Sequence, residues 1–201
     1  MGQNDGMERK ERADAARNRQ AILQATEELL RSHPPEQISV ERVAAAAGVG
    51  KGTVFHRFGS RIGLMQELMN SRALALEEAT RTGPPPLGPG APPRERLTAF
   101  LDGVVSLAAR NGGLLAAHEH AQATRKHNTE PRQANPIYVF WHGHVSALLA
   151  EANPSLDADL IAHLILGSLH TEPIATLLRA GDSERLASCF RQLADRLTSG
   201  S

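Results

Sequence analysis

A group of cations occupies a stretch of the chain that contains no carboxylate. Arg42, Lys51, Arg57 and Arg61 all fall between residues 42 and 66, where neither Asp nor Glu occurs. An acid-free stretch creates a positive local field even though the formal net charge of the whole chain is zero. Such a field attracts phosphate groups. The alternative is a solvated helix surface that binds nothing.

The run SVERVAAAAGVGKGTVFHRF, residues 39–58, predicts the elements that position these cations. Ser39 can cap a first short helix, and Gly48 can end it in the left-handed conformation that glycine adopts without steric cost. Gly50 can cap a second helix with Val54 facing inward. The side chains left pointing outward, on a helix short enough to enter a major groove, are Lys51, Thr53, His56 and Arg57. The pattern predicts a helix-turn-helix.

From Ile22 to about Met69 the chain resembles the tetracycline-repressor-like (TetR) transcriptional regulators, most specifically in AAGVGKGTVFHRFGSR. The resemblance implies that Arg61 grips a phosphate. Together with the backbone at Ser39, Arg61 would fix the position of the protein along the DNA. Three departures matter: Gly50 replaces a serine cap, Phe55 replaces a tyrosine, and Pro34-Pro35 stiffens the first turn. The predicted DNA-binding residues are Ser39, Gly50, Lys51, Thr53, Phe55, His56, Arg57 and Arg61, with Lys51 as the reader of guanine.

Composition and periodicity predict an all-α fold. Leu, Ala, Glu and Arg dominate the chain, and strand patterns are nearly absent. The expected organisation is a flexible arm over 1–16, a three-helix DNA-binding domain over 17–59 and a helical ligand-binding and dimerisation domain over 60–201. The Pro/Gly-rich segment 83–93 should be a loop. The resemblance implies nine helices in total, with helix one running from about Asp14 to Ser32.

Helix-length segments after the loop are expected at about 94–110, 111–123, 137–152, 155–180 and 183–198. Gly112-Gly113 should separate the first two, and Pro173 should bend the fourth. The last two segments carry an apolar stripe wider than one internal neighbour requires. Packing within one monomer is the alternative to a two-fold four-helix interface like that of the family. The predicted interface residues are Leu160, Leu164, Leu177, Leu178, Phe190 and Leu193.

Most of the nine histidines fall between His118 and His170. His118-x-His120 and His142-x-His144 suggest a metal, but positions i and i+2 point to nearly opposite sides of a helix. We therefore expect neither a metal site nor a cofactor. Histidines and aromatic residues can instead line an apolar cavity for a small-molecule effector. The predicted cavity residues are Phe100, His118, Tyr138, Trp141, His142 and His163.

These observations favour a homodimeric regulator that binds a double-stranded DNA operator and is released from it by a small molecule. A regulator controlled by a protein partner, or a small helical binding protein or enzyme, are the alternatives. No catalytic residues are predicted, because the chain has no nucleophile elbow, nucleotide loop or metalloprotease helix. No apolar run approaches the ~20 residues that span a bilayer. With the lone Cys189, this predicts a cytoplasmic protein that does not bind membranes.

Overall fold

The computed structural model describes residues 3–122 and 135–199, and within these ranges every regular element is helical. The chain divides into two compact units, Met1–Ser71 and Arg72–Ser201. The all-α prediction is confirmed. The described residues form nine α-helices and one short 3₁₀ turn. In chain order these are α1 (Gln3–Ser32), the 3₁₀ turn (Pro35–Gln37), α2 (Val40–Ala47), α3 (Lys51–Phe58), α4 (Arg61–Thr82), α5 (Pro93–Gln122), α6 (Pro136–Ala152), α7 (Ala158–Ser168), α8 (Glu172–Arg179) and α9 (Ser183–Thr198).

Helix α1 begins at Gln3, well before the expected start near Asp14. Residues 7–19 are rich in Arg, Ala and Glu, which are strong helix formers, and no proline interrupts them. The helix therefore extends through most of the predicted arm. Whether residues 1–16 act as a separate arm stays a prediction, as does the functional boundary at 59/60, which lies just before α4.

The first unit has a small apolar core between α1, α2, α3 and the first half of α4. Ile22, Val43, Val54 and Leu64 are almost completely buried. Thr26 is also buried, and its hydroxyl donates to the Ile22 carbonyl 2.7 Å away, so it adds no unpaired polar group to the core. This core sets the positions of the two short helices.

In the second unit α5 is the central helix, packed against α6, α8 and α9. Its predicted break at Gly112-Gly113 is wrong, because α5 runs unbroken from Pro93 to Gln122. A glycine costs only about 1 kcal/mol relative to alanine inside a helix. Leu107 and Leu114, on either side of the pair, are buried, and this packing outweighs that cost.

The segment expected as one bent helix over 155–180 is two helices, α7 and α8, inclined at 52° to each other. Pro173 lies in the first turn of α8, where its missing N–H is tolerated, and Thr171 precedes that helix in an extended conformation. The predicted bend is therefore a full break between Ser168 and Glu172. This extra helix offsets the one lost by the unbroken α5, so the described part of the chain contains nine α-helices, the number expected.

No single helix in the described part of the chain is long and apolar enough to cross a membrane. The bent pair α7–α8 meets that test only when taken together, and only by length and composition.

Candidate nucleic-acid interface and effector cavity

Hydrogen bonds fix both ends of α2, and those at its C-terminal end shape the turn toward α3. The Ser39 hydroxyl accepts the backbone N–H of Arg42 at 3.2 Å and caps α2. Gly48 ends α2 at φ 66°, and the N–H of Val49 then donates to the Ala44 carbonyl at 3.0 Å. A residue with a Cβ is strained at that φ, so the glycine is needed here. Both capping predictions are confirmed.

Helix α3 has the predicted buried apolar face and exposed polar face. Val54 is buried beneath it, and Gly50 precedes it in an extended conformation without a side-chain cap. Thr53 is half-buried. The remaining predicted contact residues of this helix, Lys51, Phe55, His56 and Arg57, are exposed. The structure thus brings the sequence-predicted side chains together on the outer surface of one short helix.

In the folded structure an acidic side chain lies beside the positive surface of α3. Glu41, on α2, places Oε1 2.5 Å from the Lys51 Nζ, which also lies 5.6 Å from the centre of the Phe55 ring. The hydrogen bond from Lys51 lowers the pKa of the Glu41 carboxyl to about 2, so this group is ionised at neutral pH. No sequence pattern indicated this partner, because Glu41 lies just outside the acid-free stretch.

Arg61 is turned toward its own unit. Its Nε donates to the Ile38 carbonyl at 2.8 Å, and Nη2 donates to the carbonyl of Pro35. The half-buried guanidinium therefore fastens the chain before α2 to the start of α4. A guanidinium has five N–H donors, so these two bonds leave others for a phosphate. The structure reveals a positioning role for Arg61 that the sequence did not suggest.

A cavity of about 190 Å³ lies in the second unit. Its lining is mainly apolar, with Val104 and Leu107 from α5 and Leu178 from α8. Polar atoms come from Asn111, Trp141, His170 and Arg179, and the other lining residues are Ala108, Gly112, Leu169 and Ala175. An apolar wall with a few polar groups is the usual composition of a small-molecule site.

Of the predicted cavity residues whose side chains the structure describes, only Trp141 lines this cavity. Its indole N–H is buried and finds no hydrogen-bond partner in the described part of the chain. Phe100 is instead completely buried in the core, where its ring meets Trp141 edge-on at 6.2 Å. The side chain of His118 lies outside the described residues. Tyr138, His142 and His163 form a separate cluster.

That cluster joins α6 to α7. The Tyr138 hydroxyl lies 2.6 Å from Nδ1 of His163, and the rings of His142 and His163 stack 3.9 Å apart. Asp159 completes the group, because its carboxylate Oδ1 is 3.5 Å from Nε2 of His142. The sequence signal for it was the spacing Asp159-x₃-His163, which places both side chains on one face of a helix.

The second member of the His142-x-His144 pair faces a different environment, as the helical spacing predicts. The His144 ring meets Phe100 at 4.8 Å and stacks on Phe140 at 6.0 Å. Burial, assisted by the positive charge of Arg96, lowers the pKa of His144 to about 4, so its imidazole is neutral at pH 7. It is a half-buried residue that packs against Phe100 of the core.

The predicted dimer residues separate into two groups. Leu160 and Leu164 on α7 are 53% and 64% exposed, and Leu193 on α9 is also exposed, while Leu177 is half-buried. Leu178 and Phe190 are buried in the core of their own unit, contrary to their expected place in an interface. Their apolar surface is used within the chain because α5 lies against both α8 and α9.

Comparisons with known proteins agree with this architecture. Residues 22–68 match the family model described as "Bacterial regulatory proteins, tetR family". A TetR-family transcriptional regulator from Rhodococcus sp. is similar in structure (TM-score 0.62, 22% identity, 92% of this chain and 100% of that one). So is the transcriptional regulator FadR from Bacillus subtilis, solved with stearoyl-CoA (TM-score 0.53, 24% identity, 90% and 98%). Comparison with curated proteins gave no match.

A helix-turn-helix at the N-terminal end of an all-helical chain is an architecture that DNA-binding proteins use to place a short helix in the major groove. The match to the tetR family model is confined to residues 22–68, which contain α2 and α3, and the solved structures extend the likeness in fold to about 90% of the chain.

Proposed function

We propose that this protein is a homodimeric repressor that binds operator DNA through α3 and leaves it when a small molecule occupies the cavity of the second unit. The observation that carries the DNA-binding part is the outer surface of α3. Lys51, His56 and Arg57 are exposed there, while Val54 anchors the helix from below. A regulator of this kind acts on the chromosome, so we place it in the bacterial cytoplasm.

Within this proposal the contacts have different roles. The capped N-terminus of α2 at Ser39 and the exposed Arg57 would hold phosphates and set the register. Lys51 would leave Glu41 and reach the O6 and N7 acceptors of a guanine. Thr53 and His56 would meet adjacent base edges or phosphates. Arg61 would mainly hold the turn before α2, with its outer donors left for a phosphate.

Dimerisation is supported by the exposed leucines. Leu160 and Leu164 are one turn apart on α7, so they form one apolar ridge, which water contacts in the isolated chain. Burial of apolar surface is worth about 25 cal/mol per Å², so a second copy covering this ridge would gain free energy. A two-fold dimer also presents two copies of α3, which would have to lie roughly 34–36 Å apart to read successive turns of one groove.

The cavity suggests the class of effector. At about 190 Å³ it is smaller than the roughly 300–1,000 Å³ of sites for drug-sized ligands. Its wall suits a compact apolar group, and Asn111, Trp141 and Arg179 could meet a polar or anionic end. The neighbour solved with stearoyl-CoA is a precedent for an acyl ligand on this fold. We therefore propose a short acyl compound or a similar small amphipathic molecule.

Helix α4 supplies a route from the cavity to the DNA-binding unit. Asn111, which lines the cavity, accepts a hydrogen bond of 2.8 Å from Nη1 of Arg72. Arg72 lies in α4, the helix whose first half, Arg61–Ser71, belongs to the first unit. An effector that displaces Asn111 would shift α4 and change the spacing of the two α3 helices. Effector and DNA affinities must then oppose each other by the same factor.

The proposal is tested with duplexes selected by binding from a random pool. We expect one dimer per selected duplex, with an affinity that falls steeply as salt rises. Fatty acids of increasing chain length, added to the complex, should release the DNA at one optimal short length. Binding with no preference for the selected duplex would contradict the regulator function, and selective binding that no acyl compound weakens would contradict only the effector.

A further inference from the structure

We propose that His142, Asp159 and His163 form a binding site for one divalent transition-metal ion of the zinc type. These side chains offer two imidazole nitrogens and one carboxylate oxygen at the junction of α6 and α7. Their candidate ligand atoms all lie within 4.8 Å of one another. The site is separate from the cavity, which none of these residues lines, and it does not depend on the proposed regulation by an effector.

The spacing of the atoms suits tetrahedral coordination. Bond lengths of 2.0–2.2 Å at the tetrahedral angle place two ligand atoms about 3.3–3.6 Å apart. Nε2 of His142 and Oδ1 of Asp159 are 3.5 Å apart. Asp159 and His163 are four residues apart on α7 and therefore share a face, and His142 approaches from α6. The His142 and His163 rings now stack at an angle of 26°, so coordination also requires a rotation of the His163 ring that turns its in-plane lone pair toward the ion, together with a shift of about 1 Å.

The donor set selects the class of ion. Imidazole is a ligand for Zn²⁺, Cu²⁺, Ni²⁺ and Fe²⁺, whereas Mg²⁺ and Ca²⁺ require oxygen ligands. Three protein ligands leave one position for water. The side chain of Asp159 is 74% exposed and that of His142 is 16% exposed, so solvent can deliver both the ion and the water from the Asp159 side.

Tyr138 is a positioning residue for this site. Its hydroxyl lies 2.6 Å from Nδ1 of His163, so an N–H at Nδ1 can donate to it and leave the lone pair of Nε2 for the ion. Nε2 of His142 now contacts the backbone carbonyl of Asp159 at 3.1 Å. Metal binding replaces that hydrogen bond by a coordinate bond, and the single imidazole proton of His142 is then carried on Nδ1.

The experiment uses the untagged full-length protein and Zn²⁺ alone, followed by equilibrium dialysis with metal analysis and by calorimetric titration. We expect one Zn²⁺ per chain at this site. Asp159→Asn keeps the size of an exposed side chain, so the variant should fold as the wild type does by circular dichroism. It should nevertheless bind Zn²⁺ at least tenfold more weakly, because an amide is a poor ligand for the ion.

Two further variants locate the ion. His163→Gln should abolish the tight site, and Tyr138→Phe, which keeps the ring but removes the hydroxyl, should weaken Zn²⁺ binding about 10- to 100-fold. Asp182→Asn, at an exposed aspartate of the same unit, is the matched control and should bind Zn²⁺ as the wild type does. A site formed by other histidines would survive both Asp159→Asn and His163→Gln. That result, or no Zn²⁺ bound at micromolar concentration, would overturn the proposal.

Discussion

The helix-turn-helix and the cavity of the second unit are assembled over very different lengths of chain. The residues that shape the turn, from Ser39 through Gly48 to Val54, are neighbours in the sequence. The cavity instead joins Val104 of α5, Trp141 of α6 and Leu178 of α8. Local capping and turn rules therefore determine the first region, whereas the second depends on which helix faces meet. Each region can be disturbed separately.

The largest effect should come from the exposed leucine ridge of the second unit. Leu164→Glu should leave the single chain folded, because Leu164 is exposed there, but should bury an unpaired charge in a dimer. We expect a monomer in sedimentation velocity and an operator affinity lowered at least ~100-fold, which corresponds to about 2.8 kcal/mol. Leu74→Glu, at a similarly exposed leucine of α4, is the control. A wild-type protein that sediments as a monomer at micromolar concentration would contradict the dimer.

In the first unit the largest loss of stability should follow Arg61→Ala. The change removes two charge-assisted hydrogen bonds, to Ile38 and Pro35, and should lower the free energy of unfolding by about 1.5–3 kcal/mol. Arg57→Ala, at an exposed cation, should change it by less than about 0.5 kcal/mol. Urea denaturation followed by circular dichroism measures both. Equal stabilities for the two variants would remove the positioning role of Arg61.

His144 should make the second unit sensitive to acid. Its folded pKa of about 4 lies below the ordinary value of 6.5, so the unfolded chain binds the proton first as the pH falls. The stabilisation is complete above pH 6.5 and is lost as the pH falls toward 4; because the ring is only partly buried, we expect a loss of about 1 kcal/mol between pH 7 and pH 5. Urea unfolding followed by fluorescence of Trp141, the single tryptophan, should show it. His144→Phe should reduce that loss, and an unchanged loss would refute the assignment to His144.

A smaller effect is expected for the coupling between the cavity and the helix-turn-helix. Arg72→Gln removes the charge that bonds to Asn111, so it should weaken the effect of the effector on DNA binding by about 0.5–2 kcal/mol. Affinity for the operator without effector should stay within about twofold, because Arg72 is not among the proposed DNA contacts. DNA titrations with and without the effector measure the coupling. Full release of DNA by the effector in this variant would exclude the route through Arg72.

The contrast between local turn rules and long-range packing of helices also explains which features the sequence could predict. Ser39 and Gly48 were recognisable because a cap and a left-handed turn require particular residue types within a few positions. The sequence could not show that α5 continues through Gly112-Gly113, because the burial of Leu107 and Leu114 depends on helices far along the chain. Packing of this kind outweighs the local preference of a glycine pair.

The site residues follow the same division. The exposed side chains of α3 were predicted correctly from its helical period. The place of Phe100 was not, because an apolar side chain is equally compatible with a cavity wall and with the core, where Phe100 lies. Glu41 approaches Lys51 across the turn, which no helical spacing reveals. Asp159 and His163 were visible as a helical pair, but their meeting with His142 required the packing of α6 on α7.

The most direct test of the central claim compares Lys51→Ala with Glu41→Gln on the selected duplex and on random DNA. Lys51→Ala should cost about 1–3 kcal/mol on the selected duplex and much less on random DNA, because a guanine contact is lost. Glu41→Gln frees Lys51 from an exposed ion pair, so it should strengthen binding up to about fivefold. If neither variant changes affinity for the selected duplex, α3 is not the DNA-reading helix and the account is contradicted.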